Sequence, residues 1–118
     1  MEVPDILVRN SNLTLAQIES LTGYLQVLSH EKTLREAASI RPLGPVKIGS
    51  FYRAVQQGKK NIKSSILTLV IAIWMGFVKA DDLRRLLNQV SNGLPELGDE
   101  EKNHLTALIE ALTAEIVM

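Results

Sequence analysis

The fifteen residues from Ser64 to Val78 contain no charged side chain, and they limit what this chain of 118 residues can fold into. The run is too short for the roughly 20 residues that a helix needs to cross a bilayer. It is long enough for a helix of about four turns, and its apolar side chains need cover from water. We therefore expect a buried core helix and no membrane partner.

Two capping boxes predict where helices begin. Thr14 and Gln17 have the spacing at which each side chain satisfies a backbone donor at a helix start, and Thr33 and Glu36 repeat it. After Thr14, apolar residues recur at steps of three and four, which is typical of an amphipathic helix. This stripe consists of Leu15, Ile18, Leu21, Leu25 and Leu28.

The helix that begins after Thr33 is expected to be short. It should end near Ile40, because the residue before Pro42 is driven out of helical geometry. Residues 41–45, Arg-Pro-Leu-Gly-Pro, then form a turn. From Val46 the chain can be helical again, with Phe51 expected in the core. Two alternatives stay open: this helix ends at Gly58, or it continues into the uncharged run.

The remainder of the chain is also predicted to be helical. The uncharged helix should stop near Gly76, and Asp81 and Asp82 should open the next helix, which Asn92-Gly93 ends. Asp99 caps a last helix, whose apolar stripe consists of Leu105, Leu108, Ile109, Leu112 and Ile116. No segment alternates in the manner of a strand. The prediction is a single all-α domain over residues 1–118, a compact bundle of five to six helices.

Charge is balanced only on average. The chain has 13 basic and 13 acidic residues, but the segment from Lys32 to Lys63 holds eight basic residues and only one acid, Glu36. Its net charge is +7, and the remainder carries −7. A basic block of this kind is typical of a surface that binds a polyanion such as nucleic acid. The alternative is a solvated face that acidic helices neutralise.

Residues 33–63 resemble the helix-turn-helix of prokaryotic and archaeal transcription regulators. The resemblance rests on a Thr-Leu-x-Glu-Ala-Ala first helix and a Ser-x-x-Arg second helix. In that family an alanine lies where the two helices touch, and Ala37 or Ala38 would match it. The turn differs from the family pattern, since Gly44 follows Ala38 by six residues and not by four.

The resemblance implies that the second helix reads DNA. Arginine can bond to guanine through two donors, glutamine can bond to adenine, and serine can bond to phosphate or to several bases. The predicted base-reading residues are Ser50, Arg53, Gln56 and Gln57. Phosphate contacts need only charge or a donor at the right place. The predicted phosphate contacts are Arg41, Lys47, Tyr52, Lys59, Lys60 and Lys63.

Catalytic and metal-binding patterns are missing from the sequence. Without cysteine there is no disulfide, thiolate metal site or cysteine nucleophile. His30 and His104 lie on different predicted elements, with no carboxylate cluster at metal-ligand spacing. We predict no enzyme, no metal, no cofactor and no small-molecule substrate. The amino terminus lacks the features of a secretory signal, which favours the cytoplasm.

These patterns predict a DNA-binding protein, and specifically a transcriptional regulator that acts by occupying its site. One helix-turn-helix usually contacts few base pairs, so the mode of action also predicts a homodimer on double-stranded DNA. The leucine stripe of the last helix, or of the first, would form the dimer interface, so residues 64–118 could carry it. The alternative is a helical adaptor or assembly subunit whose basic face binds an acidic protein.

Overall fold

The computed structural model describes residue 3, residues 5–93 and six isolated positions between residues 100 and 117. Its helices are α1 Asp5–Arg9, α2 Leu15–Leu28, α3 Leu34–Ser39, α4 Ile48–Met75 and α5 Ala80–Gly93. Residues 5–93 contain no strand, so the predicted all-α class is confirmed. The short α1 was not predicted. The predicted last helix, which begins after Asp99, falls largely outside the described residues.

The chain divides into two compact units, which also differ in charge. We call Val8–Ser65 the basic unit, because it has nine basic and three acidic residues and a net charge of +6. Met1–Leu7 and Ile66–Met118 form the acidic unit, with four basic and ten acidic residues and a net charge of −6. The charge asymmetry of the sequence therefore follows a division of the fold.

Both predicted capping boxes are present. Thr14 Oγ1 accepts the backbone N–H of Gln17 at 3.1 Å, and Gln17 Oε1 accepts that of Thr14 at 3.1 Å. Thr33 and Glu36 make the same reciprocal pair at 3.2 and 3.3 Å. The starts of α2 and α3 were thus predictable, because these bonds are local to four residues.

The end of α2 adopts a backbone conformation that normally belongs to glycine. His30 has φ 62°, and the chain turns out of the helix through bonds from His30 N to Val27 O and from Glu31 N to Gln26 O. These two bonds define a Schellman motif. Gly76, with φ 87°, occupies the equivalent place after α4, where the predicted helix end is confirmed.

Replacing His30 by glycine is expected to stabilise the protein by about 1 kcal/mol. The left-handed conformation costs a side chain with a Cβ roughly 1–2 kcal/mol, and the greater freedom of glycine in the unfolded chain offsets part of that gain. Urea denaturation followed by circular dichroism measures the change. The matched exchange, Gly76→His, should destabilise, and a loss of stability in His30→Gly would contradict the argument.

The buried side of α2 is not the predicted leucine stripe. Leu25 and Leu28 are 60% and 57% exposed, whereas Ser20 is fully buried. Gly23 and Val27 share the side of the helix that carries Ser20, and a Cβ added at Gly23 would lie 3.3 Å from two carbons of the Phe51 ring. Small residues let the aromatic ring come close to α2. This close packing, and not the count of leucines, decides which face is buried.

The alternative left open at Gly58 is settled in favour of one continuous helix. α4 runs through Gly58, which is buried. A Cβ at this position would lie 2.7 Å from Leu21 Cδ1, so the glycine permits contact with α2 and does not end the helix. The amide of Asn61 donates to the carbonyl of Asn12 at 3.0 Å and so does not cap a new helix.

The prediction that residues 64–78 are buried on all sides is wrong for one face. Val78 is buried and Leu69, Ala72 and Ile73 are partly so, but Trp74 is 88% exposed. A helix lies within a core on all sides only when other elements surround it, and the sequence of the helix does not report their number. None of the described helices is long and apolar enough to cross a membrane.

α5 begins as predicted. Asp81 and Asp82 lie in its first turn, where carboxylates favour the positive end of the helix. Each pairs with an arginine three residues later, Asp81 with Arg84 at 3.1 Å and Asp82 with Arg85. No other ion pairs occur within the described part of the chain. The cations of the basic unit are therefore not neutralised by salt bridges there.

Candidate nucleic-acid interface

The first half of α4 is fixed by its buried side. Phe51 and Val55 are fully buried, and they form one cluster with Ala37 and Ala38 of α3. Leu21, Tyr24 and Val27 of α2, together with Leu34, Val46 and Ile48, pack against this cluster. Phe51 is in the core, as predicted. With one side of α4 held by α2 and α3, its opposite side faces solvent.

The connection between α3 and α4 spans residues 40–47 and is held by hydrogen bonds. Gly44 N donates to Arg41 O at 2.9 Å, which closes a turn in which Gly44 has φ 126°. Val46 N donates to Ala38 O at 3.1 Å. The carboxylate of Glu19 in α2 accepts the N–H of Leu43 at 2.8 Å. The long turn therefore has defined anchors on both neighbouring helices.

The exposed side of α4 within the basic unit is polar and cationic. Two neighbouring rows at helical spacing make up this surface, which we call the cationic face: Ser50, Arg53, Gln57 and Lys60 in one row, and Tyr52, Gln56, Lys59 and Lys63 in the other. All eight residues are exposed. The face contains no acidic residue and extends about 20 Å along the helix. The predicted base-reading residues therefore share one surface with four of the six predicted phosphate contacts.

Two predicted phosphate contacts have partners inside the protein. Arg41 is half-buried, and its Nε donates to the carbonyl of Gly44 at 3.2 Å, so it helps to close the turn. Lys59 is exposed, but its Nζ lies 4.5 Å from the centre of the Tyr24 ring, which is a cation–π distance. Lys47, just before α4, is exposed.

The remaining cations of the cationic face make no contact of this kind. In the described part of the chain, Arg53, Lys60 and Lys63 have neither a hydrogen bond nor an ion pair. The acid nearest in sequence, Glu36, accepts from Thr33 through its backbone N–H and its hydroxyl. Arg35 forms no salt bridge there, so the charge pairing considered for it on α3 is not observed.

Sequence reasoning missed two residues that shape this region. Glu19 was not singled out, although its carboxylate holds the turn at Leu43, and Asn61 was considered only as a cap. Each bond joins residues at least 24 positions apart in sequence, so no local pattern could reveal it. The exposed apolar side of α4 was also missed, but its residues do recur at steps of four.

The fold and this surface define an all-α protein with a cationic helix face. No family model, no curated protein and no solved structure matches the chain. The resemblance to helix-turn-helix regulators therefore stays a prediction that rests on residues 33–63. The argument for function depends on the cationic face itself.

Proposed function

We propose that this protein binds double-stranded DNA through the cationic face and acts as a transcriptional regulator by occupying its site. The observation that carries the proposal is an exposed helix face with four cations and no acid, on a helix whose other side is buried against α2 and α3. A major groove about 12 Å wide admits a helix presented in this way. Cations on such a helix gain by displacing counterions from the phosphates.

The chemistry of the face supports a division of roles. Arg53, Gln56 and Gln57 have side chains that can each make two hydrogen bonds to a base edge, so they suit base reading. Lys60 and Lys63 lie one to three turns further along α4, and as flexible point charges they suit phosphate contacts. Ser50, in the first turn, can serve either role.

The composition of the face favours duplex over single-stranded nucleic acid. Proteins that bind single strands stack successive bases on aromatic side chains. Between residues 50 and 63 the aromatic residues are Phe51, which is fully buried, and Tyr52, which is 45% exposed. One exposed tyrosine offers no series of stacking platforms.

Salt dependence of duplex binding tests the proposal. For contact with about five phosphates, the logarithm of the binding constant should fall with the logarithm of salt concentration at a slope of about −4 to −5. Fluorescence anisotropy of a labelled duplex of mixed sequence, between about 50 and 200 mM salt, gives this slope. The single strand of the same sequence is the control and should bind more weakly. Absence of duplex binding at low salt would refute the proposal and leave the acidic-protein adaptor as the alternative.

A further inference from the structure

The second half of α4, in the acidic unit, exposes a continuous apolar surface. Two rows at steps of four lie next to each other on the helix, and we call them the apolar rows: Ile66, Val70 and Trp74 in one, and Leu67, Ile71 and Met75 in the other. Each of these side chains is at least 50% exposed, and Trp74 is 88% exposed. The side of the helix with Leu69, Ala72 and Ile73 is the less exposed one.

The extent of this surface indicates that it is covered when the protein functions. The six side chains leave on the order of 700 Å² of apolar surface in contact with water, more than the largest patch on a typical monomer. One partner contributes about 800 Å² to an interface of standard size. The apolar rows alone therefore come close to the area that one side of a stable complex supplies.

Charge limits what can cover the apolar rows. Residues 64–78 carry no charge, so they offer no counterpart to a charged partner surface. The acidic unit has a net charge of −6, which disfavours an anionic lipid surface, since helices that lie on such membranes are rich in lysine and arginine. An uncharged apolar face on another protein is the chemistry that remains.

We propose that a second copy of this chain covers the apolar rows, so that the protein is a homodimer joined through residues 66–75 of α4. Rows at steps of four form ridges that fit into the grooves between the same rows of another helix, the commonest way in which helices pack. A two-fold pair places the same surface on both sides, and two uncharged faces bring no ionised group into the contact. The proposal does not depend on nucleic-acid binding.

A matched pair of variants tests the interface. Leu67→Asp places a charge in the apolar rows, and Leu25→Asp makes the same change at a leucine of similar exposure on α2. By sedimentation, the unaltered protein and Leu25→Asp should show twice the 13.1 kDa mass of one chain, whereas Leu67→Asp should stay at 13.1 kDa. Circular dichroism should show the same helix content for all three, because both leucines are exposed in the single chain.

Trp74 provides a second readout, since it is the only tryptophan of the chain. Dilution should shift its emission to longer wavelength as the pair dissociates, and Leu67→Asp should emit at that wavelength at every concentration. Three outcomes would overturn the proposal: a single-chain mass at all concentrations, a dimer that survives Leu67→Asp, or a blue shift that appears only with neutral or anionic lipid vesicles. Duplex binding by a single-chain protein would overturn the dimer and leave the proposed function in place.

Discussion

Replacing Phe51 by alanine is expected to lower the free energy of unfolding by about 3–5 kcal/mol. The ring is fully buried in the cluster with Ala37, Ala38 and Val55, and it lies close to Gly23 of α2. None of these neighbours is large enough to fill the space that the ring leaves, so a cavity would remain where three helices meet. Urea denaturation followed by circular dichroism measures the loss.

The next residue in the chain is the control for this prediction. Tyr52 is also aromatic and also in α4, but it is 45% exposed and lies outside the buried cluster. Tyr52→Ala should therefore cost far less, about 1 kcal/mol or below. Equal losses for the two variants would mean that the cluster around Phe51 does not hold the basic unit together.

Replacing Lys59, Lys60 and Lys63 together by glutamine is expected to weaken duplex binding by two to three orders of magnitude, on the order of tenfold for each phosphate contact near 0.1 M salt. The slope against salt should become less steep by about 3, because three fewer counterions are released. Anisotropy titrations of the triple variant and the unaltered protein, with the same duplex, measure both effects. The three side chains are exposed, so the fold should not change.

Two further variants separate this effect from others. Lys79→Gln removes an exposed lysine of the acidic unit and should leave affinity unchanged. Arg53→Ala should cost about 1–3 kcal/mol on a preferred sequence and less on others, because a bidentate contact to a base carries sequence information. If Arg53→Ala weakens binding equally on every sequence, Arg53 contacts phosphate and does not read bases.

Local chemistry made the starts and ends of several helices predictable. The capping boxes at Thr14 and Thr33, the turn after Pro42 and the glycine after α4 each act within about six residues, and each is observed. The residues of the cationic face could also be predicted, because steps of three and four place Ser50, Arg53 and Gln57 on one side of any helix. The all-α class follows from the same periodicity.

Which surfaces are buried could not be read from the sequence. On α2 a stripe of five large apolar residues predicted the core side, but the buried side carries Ser20 and Gly23, because their small size lets Phe51 approach. At Gly58 the sequence allowed a break, whereas contact with Leu21 accounts for a glycine within a continuous helix. Both outcomes depend on the shape of a neighbour that is distant in the chain.

For this protein, the sequence by itself determined the helices, the composition of their faces and the separation of charge, because hydrogen-bond caps and helical periodicity are short-range properties. Only the tertiary structure decided that α4 is continuous, that the cations Arg53, Lys60 and Lys63 are unpaired within the described residues, and that the apolar rows face water. Burial and pairing are relations between distant residues, and they exist only once the helices have packed.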